Sequence, residues 1–198
     1  MARTPQFDRT VALNNAMALF WRQGYHATSM KDIEVAIDMR PGSIYAAFGN
    51  KESLFREALG SYGANTQEWF AASLAEGKRE IDGFYALTYR MVEQTQSGIP
   101  SKACMLIKTL LELSNNERFD NQFIKHYMLE LQNLFVAKFK RVIAAGELAI
   151  GSDPERLARL YQSAILGLSV MAQRDLPAAQ LQQLAEDNLQ LLFPSQQS

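Results

Sequence analysis

Apolar residues recur along this chain at the three- and four-residue spacing of amphipathic helices, and sustained strand-like alternation is absent. The first stretch, from about Asp8 to Gln23, sets Leu13, Met17 and Phe20 on one face, and Gly24 follows as a stop. Tyr25-His26-Ala27-Thr28 makes a short connection. Ser29 then reads as an N-cap with Asp32, three residues on, as its capping-box partner. This predicts a short second helix, about Met30 to Ile37, with Ile33 and Ile37 inward. Asp38-Met39 breaks it, and Arg40-Pro41 opens a third helix with proline in the permitted first turn and Ile44 and Phe48 inward. Gly49-Asn50 closes that helix, and a longer fourth begins at Lys51 and runs to about Ala75.

Further helices are predicted at about Arg79–Gln96, Ala103–Ser114 and Glu117–Ala145, punctuated by Gly98-Ile99-Pro100 and Asn115-Asn116. In the last of these, Phe123, Tyr127, Leu131 and Leu134 are spaced as a core stripe. Ser152-Asp153-Pro154-Glu155 combines an N-cap, a first-turn proline and an acidic first turn, starting an eighth helix to about Arg174. A ninth is predicted from about Pro177 to Phe193. The expected fold is therefore all-α, with about nine helices.

Composition changes this picture little. Of the 198 residues, 47% are apolar and 21% charged, as in a globular chain that can bury a core. No apolar run is long enough to span a membrane, and the N-terminal residues lack the apolar stretch of a secretory signal. The single cysteine, Cys104, excludes an internal disulfide and fits a reducing cytoplasm. Net charge is −1, unevenly spread: residues 1–56 hold seven Lys/Arg against five Asp/Glu, and the remainder 13 against 16. A slightly basic head on an acidic body permits nucleic-acid binding without establishing it.

Two short helices about three residues apart describe a helix-turn-helix over residues 29–48. Burial of Ile33, Ile37, Ile44 and Phe48 leaves Arg40, Pro41, Ser43, Tyr45 and Ala46 on the outer side of the third helix, with Gly42 allowing close backbone approach. Such a face fits the DNA major groove. Residues Phe7 to Leu59 resemble the DNA-binding head of the TetR/AcrR family. The resemblance rests on Ala16-Met17-Ala18-Leu19-Phe20, Gly24-Tyr25, Thr28-Ser29-Met30-Lys31-Asp32-Ile33 and the unbroken string Arg40 to Phe55.

The resemblance implies a DNA-binding domain at 6–60, a three-helix head, and a helical ligand-binding and dimerisation domain at 61–198. It places Arg40, Pro41, Ser43, Tyr45 and Ala46 in the groove, with Gly42 among the DNA-binding residues, Tyr45 and Lys51 on phosphates, and Thr28, Ser29 and Met30 near the backbone at the start of the second helix. Ala46-Ala47 stand where bulkier residues are common in the family, which leaves Arg40 as the main base-reading candidate. It further implies a ligand-responsive repressor that grips a palindromic operator in double-stranded DNA as a homodimer and answers a small-molecule inducer. The last two helices would pair across the dimer, with Leu157, Leu160, Tyr161, Ala164, Ile165, Leu168 and Met171 as the apolar face and Gly167 permitting close approach.

The alternative is a helical small-molecule carrier or signalling adaptor whose head has lost DNA binding. No nucleophile elbow, phosphate loop or paired catalytic carboxylates occur, so no enzyme and no cofactor is expected. His26 and His126 lie far apart without other ligands at metal-binding spacing, so no metal site is expected either. Cys104 has two readings: a small packed hydrophobe, or a redox-sensing thiolate favoured by a helix start and by Lys102 and Lys108.

Overall fold

The computed structural model describes residues 8–113 and 122–194. Among them are nine α-helices and no strand: α1 (Arg9–Gln23), α2 (Met30–Ile37), α3 (Pro41–Phe48), α4 (Lys51–Leu74), α5 (Asp82–Gln94), α6 (Met105–Leu113), α7 (Gln122–Ala144), α8 (Pro154–Gln173) and α9 (Ala178–Leu192). The expected Asn115-Asn116 break and the Glu117 helix start lie outside the described residues. The chain clusters into two compact units, Met1–Asn65 with Met105–Glu117, and Thr66–Cys104 with Arg118–Ser198.

Local chemistry sets the helix ends of the first unit. The Asp8 carboxylate accepts from the Thr10 and Val11 amides, satisfying two of the free donors at the start of α1. At α2 the box predicted from Ser29 and Asp32 is closed in both directions. Asp38 ends α2 in the left-handed region, at φ 51°. Met39 follows and is buried, so the turn between α2 and α3 is plugged by an apolar side chain. Pro41 occupies the first position of α3, and Gly49 at φ 80° ends it. The Asn50 side chain then accepts from the Ser53 amide at 2.8 Å and caps α4.

The inward face of α1 differs from the predicted one. Ala12, Ala16, Leu19 and Phe20 are buried, whereas Leu13 and Met17 are only half-buried. Small alanines bring the helix close to its neighbours, and Phe20 packs edge-on to Phe55 at 4.9 Å. Arg9 fastens α1 to the other helices of the unit. Its guanidinium donates to Glu57 at 2.7 Å and lies 4.7 Å from the Phe48 ring centroid.

The second unit is built on rings. Phe84 stacks on Phe139 at 4.2 Å and meets Tyr161 edge-on at 4.7 Å, while Phe135 approaches Tyr161 at 5.0 Å. The buried Tyr161 hydroxyl is shared with Thr88 Oγ1 at 2.9 Å and donates to the Phe84 carbonyl at 3.1 Å. Burial of that phenol pushes its pKa well above the ordinary tyrosine range. Gly83 admits the end of α4: a Cβ there would collide with the Leu74 carbonyl.

On α7 the buried stripe runs through Ile124, Tyr127, Leu131, Phe135, Phe139 and Val142, so the expected stripe holds at Tyr127 and Leu131 only. Phe123 is exposed and Leu134 half-buried, because the face turned to the core is one residue further round the helix. The Asp153 carboxylate accepts from the Glu155 and Arg156 amides with Pro154 at the first position, as the sequence predicts for α8.

Candidate nucleic-acid interface

The two short helices of the first unit are held by one buried set: Ile33 and Ile37 from α2, Met39 from the turn, and Ile44 and Phe48 from α3. Burying side chains of this size stabilises by roughly 1.5–3 kcal/mol each, so the crossing of α2 and α3 is strongly fixed. Everything on the opposite side of α3 is consequently outward. Arg40, Pro41, Gly42, Ser43, Tyr45 and Ala46 are all exposed, and Tyr45 is 52% accessible. Tyr45 is thus a surface aromatic rather than a core one. A Cβ added at Gly42 would meet nothing within 4 Å, so the glycine leaves a bare stretch of backbone at the head of α3.

Residues at the start of α2 divide. Ser29 is exposed and Met30 half-exposed, at the end of a helix whose free amides attract anions. Thr28 is different: it is 1% accessible, and its hydroxyl donates to the Gly24 carbonyl at 2.6 Å. Its side chain therefore ties the turn to the end of α1 rather than facing outward. Beside this edge, hydrogen bonds from the Ser29 hydroxyl and backbone hold the Asp32 carboxyl below its usual range.

Lys51, the first residue of α4, is half-buried, with its ammonium 4.4 Å from the centroid of the Tyr25 ring. Burial lowers its pKa, while the Glu112 and Asp32 carboxylates act in the opposite direction. Tyr25 itself leans on Phe55 at 4.8 Å. Sequence reasoning gave Tyr25 a place in the connection and in the family resemblance, Met39 a place in the break after the second helix, and Arg9 and Glu112 no structural role. An aromatic residue next to a helix-stopping glycine was the one local sign available for Tyr25.

Cys104 is half-exposed and directly precedes α6. It lies in the second unit, near enough to the buried Tyr127 phenol to oppose its ionisation. The two lysines that flank Cys104 in sequence have partners of their own. Lys102 pairs with Asp175 at 2.7 Å, and Lys108 donates to the Trp21 carbonyl at 2.7 Å. Among the described residues no group of three or more His, Cys, Asp or Glu could hold a metal ion, and no helix is long and apolar enough to cross a membrane.

An exposed, basic-tipped helix carried on a buried two-helix corner is the geometry of a helix-turn-helix DNA-binding module. Comparison with known proteins agrees. The sequence model of the family described as bacterial regulatory proteins, tetR family, matches residues 12–58. The HTH-type transcriptional repressor ComR of Escherichia coli (strain K12) is 30% identical over 96% of this chain and 90% of its own. A cysteine-substituted form of the TetR family transcriptional regulator CifR, solved with 26-bp double-strand operator DNA, superposes with a TM-score of 0.84. It is 31% identical over 96% of this chain and 98% of that one. A TetR regulator from Chloroflexus aurantiacus shares the fold at a TM-score of 0.83 and 24% identity, covering 94% of each chain. The chain belongs to the tetR family and is a helix-turn-helix transcriptional regulator.

The placement of Thr28 generates a direct expectation. Thr28→Val keeps the shape but leaves the Gly24 carbonyl without its partner, which should destabilise by about 1–3 kcal/mol. Denaturant unfolding checks this, and Thr28→Ser should behave as wild type. A Val variant of wild-type stability but weakened DNA binding would return Thr28 to the outward set.

Proposed function

We propose that this regulator is a repressor that binds a palindromic operator as a homodimer and leaves it when a small molecule occupies the second unit. The observation that carries the reading is the outward face of α3, where Arg40 leads a row of small and polar side chains while Ile44 and Phe48 are buried beneath. In this reading α3 enters the major groove and the Arg40 guanidinium reads a guanine through two parallel hydrogen bonds. Lys51, Tyr45, Ser29 and the amides at the start of α2 contact phosphates, adding affinity without sequence information. The named function of ComR as a repressor and the operator complex of CifR support the same assignment.

In this reading the dimer forms through α8 and α9. The apolar face read from sequence divides in the fold: Tyr161, Ile165 and Leu168 are buried within the chain. Outside remain Leu160 at 44% accessible and Val170 at 48%, with exposed Gly167 between them and Leu191 of α9 at 82%. Nothing lies within 4 Å of a Cβ at Gly167, so a helix from a second copy can approach there. For the inducer, a groove of about 410 Å³ in the second unit is within the size of small-molecule sites. Apolar Ile99, Leu176 and Leu181 and polar Thr95, Gln96 and Lys102 line it, which suits a small amphipathic molecule. These assignments place the protein in the cytoplasm, with its DNA.

Two measurements test the reading. The operator is first recovered by selecting bound fragments from the chain's own genome. Arg40→Ala should then erase about 1–3 kcal/mol of preference for the operator over scrambled duplex. Tyr45→Ala should weaken both duplexes equally. Equal loss on both for Arg40→Ala would show that Arg40 only positions the head.

Sedimentation of the wild type should report twice the 22.3 kDa chain mass. Leu160→Arg combined with Val170→Arg should yield a folded monomer that has lost tight operator binding. A wild-type monomer that still grips the palindrome tightly would contradict the dimer.

A further inference from the structure

The end of α1 and the turn after it are held by two oppositely charged residues one helical turn apart on α6. Lys108 Nζ donates to the carbonyls of Trp21 at 2.7 Å and Arg22 at 3.2 Å, where the partial negative charge of the α1 terminus lies. Glu112 takes the complementary groups. Its Oε2 accepts from the Tyr25 amide at 3.0 Å and its Oε1 from the His26 amide at 2.6 Å. Two successive amides converging on one carboxylate form a small anion cradle built from backbone. Charge-assisted bonds of this kind are about twice as strong as neutral ones.

Gly24 makes room for the carboxylate. At φ +87° it adopts a conformation that side chains disfavour, and a Cβ there would stand 2.6 Å from Glu112 Oε2. The residue whose amide Glu112 grips, Tyr25, is also the one whose ring lies beneath the Lys51 ammonium at 4.4 Å. From Glu112 to Lys51 there is thus one chain of contacts: carboxylate to Tyr25 backbone, Tyr25 ring to ammonium. All of it lies within the first unit.

We propose that Glu112 is a positioning residue for DNA binding, which through Tyr25 holds Lys51 where it meets a phosphate. The proposal rests on the reading of Lys51 as a phosphate contact. A carboxylate that never touches DNA thereby supports binding to a polyanion, against the expectation from its charge alone. Without Glu112 the Tyr25 backbone loses its acceptor, the ring leaves its place, and the Lys51 ammonium disperses into solvent.

The experiment measures operator and scrambled-duplex affinity of the full-length protein over a range of salt concentrations. Each phosphate contact contributes about 0.9 to the slope of log affinity against log salt. Lys51→Ala should lower the slope on both duplexes, and Glu112→Ala should lower it by the same amount. The double variant should lose no more than either alone.

Tyr25→Leu removes the ring but keeps both backbone bonds to Glu112, and it should reproduce the slope of Lys51→Ala. This arm covers the case in which Glu112→Ala does not fold. Glu112→Gln, whose single amide oxygen can serve only part of the cradle, should fall between wild type and Glu112→Ala.

A Glu112→Ala or Tyr25→Leu protein that keeps the wild-type slope, with only its melting temperature lowered, overturns the proposal and makes Glu112 a fastener alone. Additive losses in the double variant also overturn it. If Lys51→Ala itself leaves the slope unchanged, the phosphate reading of Lys51 has failed, and the proposal falls with it for that separate reason.

Discussion

The burial of Ile33, Ile37, Met39, Ile44 and Phe48 in one cluster is the constraint on which the DNA-binding surface depends. A helix of eight residues such as α3 has little stability alone, because nucleation is costly and few turns follow to offset it. Its orientation is therefore set by what it buries. Once Ile44 and Phe48 are inside, Arg40, Ser43 and Tyr45 have no choice but to face out. Removing the turn plug, Met39, would loosen the crossing without touching any outward residue.

Around that cluster, charge is placed to hold the unit rather than merely to decorate it. Arg9 joins Glu57 and the Phe48 ring, and Lys108 and Glu112 seize opposite signs of partial charge at the end of α1. An exposed ion pair is worth little by itself. The Lys108 and Glu112 contacts differ in kind: Lys108 satisfies carbonyls that the end of α1 leaves open, and Glu112 satisfies two amides of the turn that follows. Recognition and scaffolding thus draw on the same short segment, residues 24–28, with Thr28 fixing its far end.

The head was legible in the sequence because its signals are local. Ser29 with Asp32, Pro41 at a helix start and glycines at 24 and 49 each act within four residues, and all do in the structure what their chemistry predicts. Periodicity was less sharp about which side faces in. On α1, Leu13 and Met17 outweigh Ala12 and Ala16 in hydrophobicity, yet the alanines take the closest packing. On α7, Phe123 and Ile124 are adjacent apolar residues, and only the tertiary partners decide that Ile124 is inside. The α8 face was read as one surface, but Tyr161, Ile165 and Leu168 belong to the chain's own core. Glu112 was invisible for another reason: its partners lie 86 and 87 residues earlier, and no local pattern announces a contact so distant.

In the proposed function, DNA recognition depends on Arg40, at the outward face of α3, reading bases in the major groove. Substituting 7-deazaguanine for guanine in the recovered operator removes the N7 acceptor while leaving the minor groove and the phosphates intact. Wild-type affinity should fall at one guanine in each half-site, by at least about 1 kcal/mol, while Arg40→Ala should bind both operators equally. Wild-type protein that binds the substituted and natural operators alike at every guanine would contradict it.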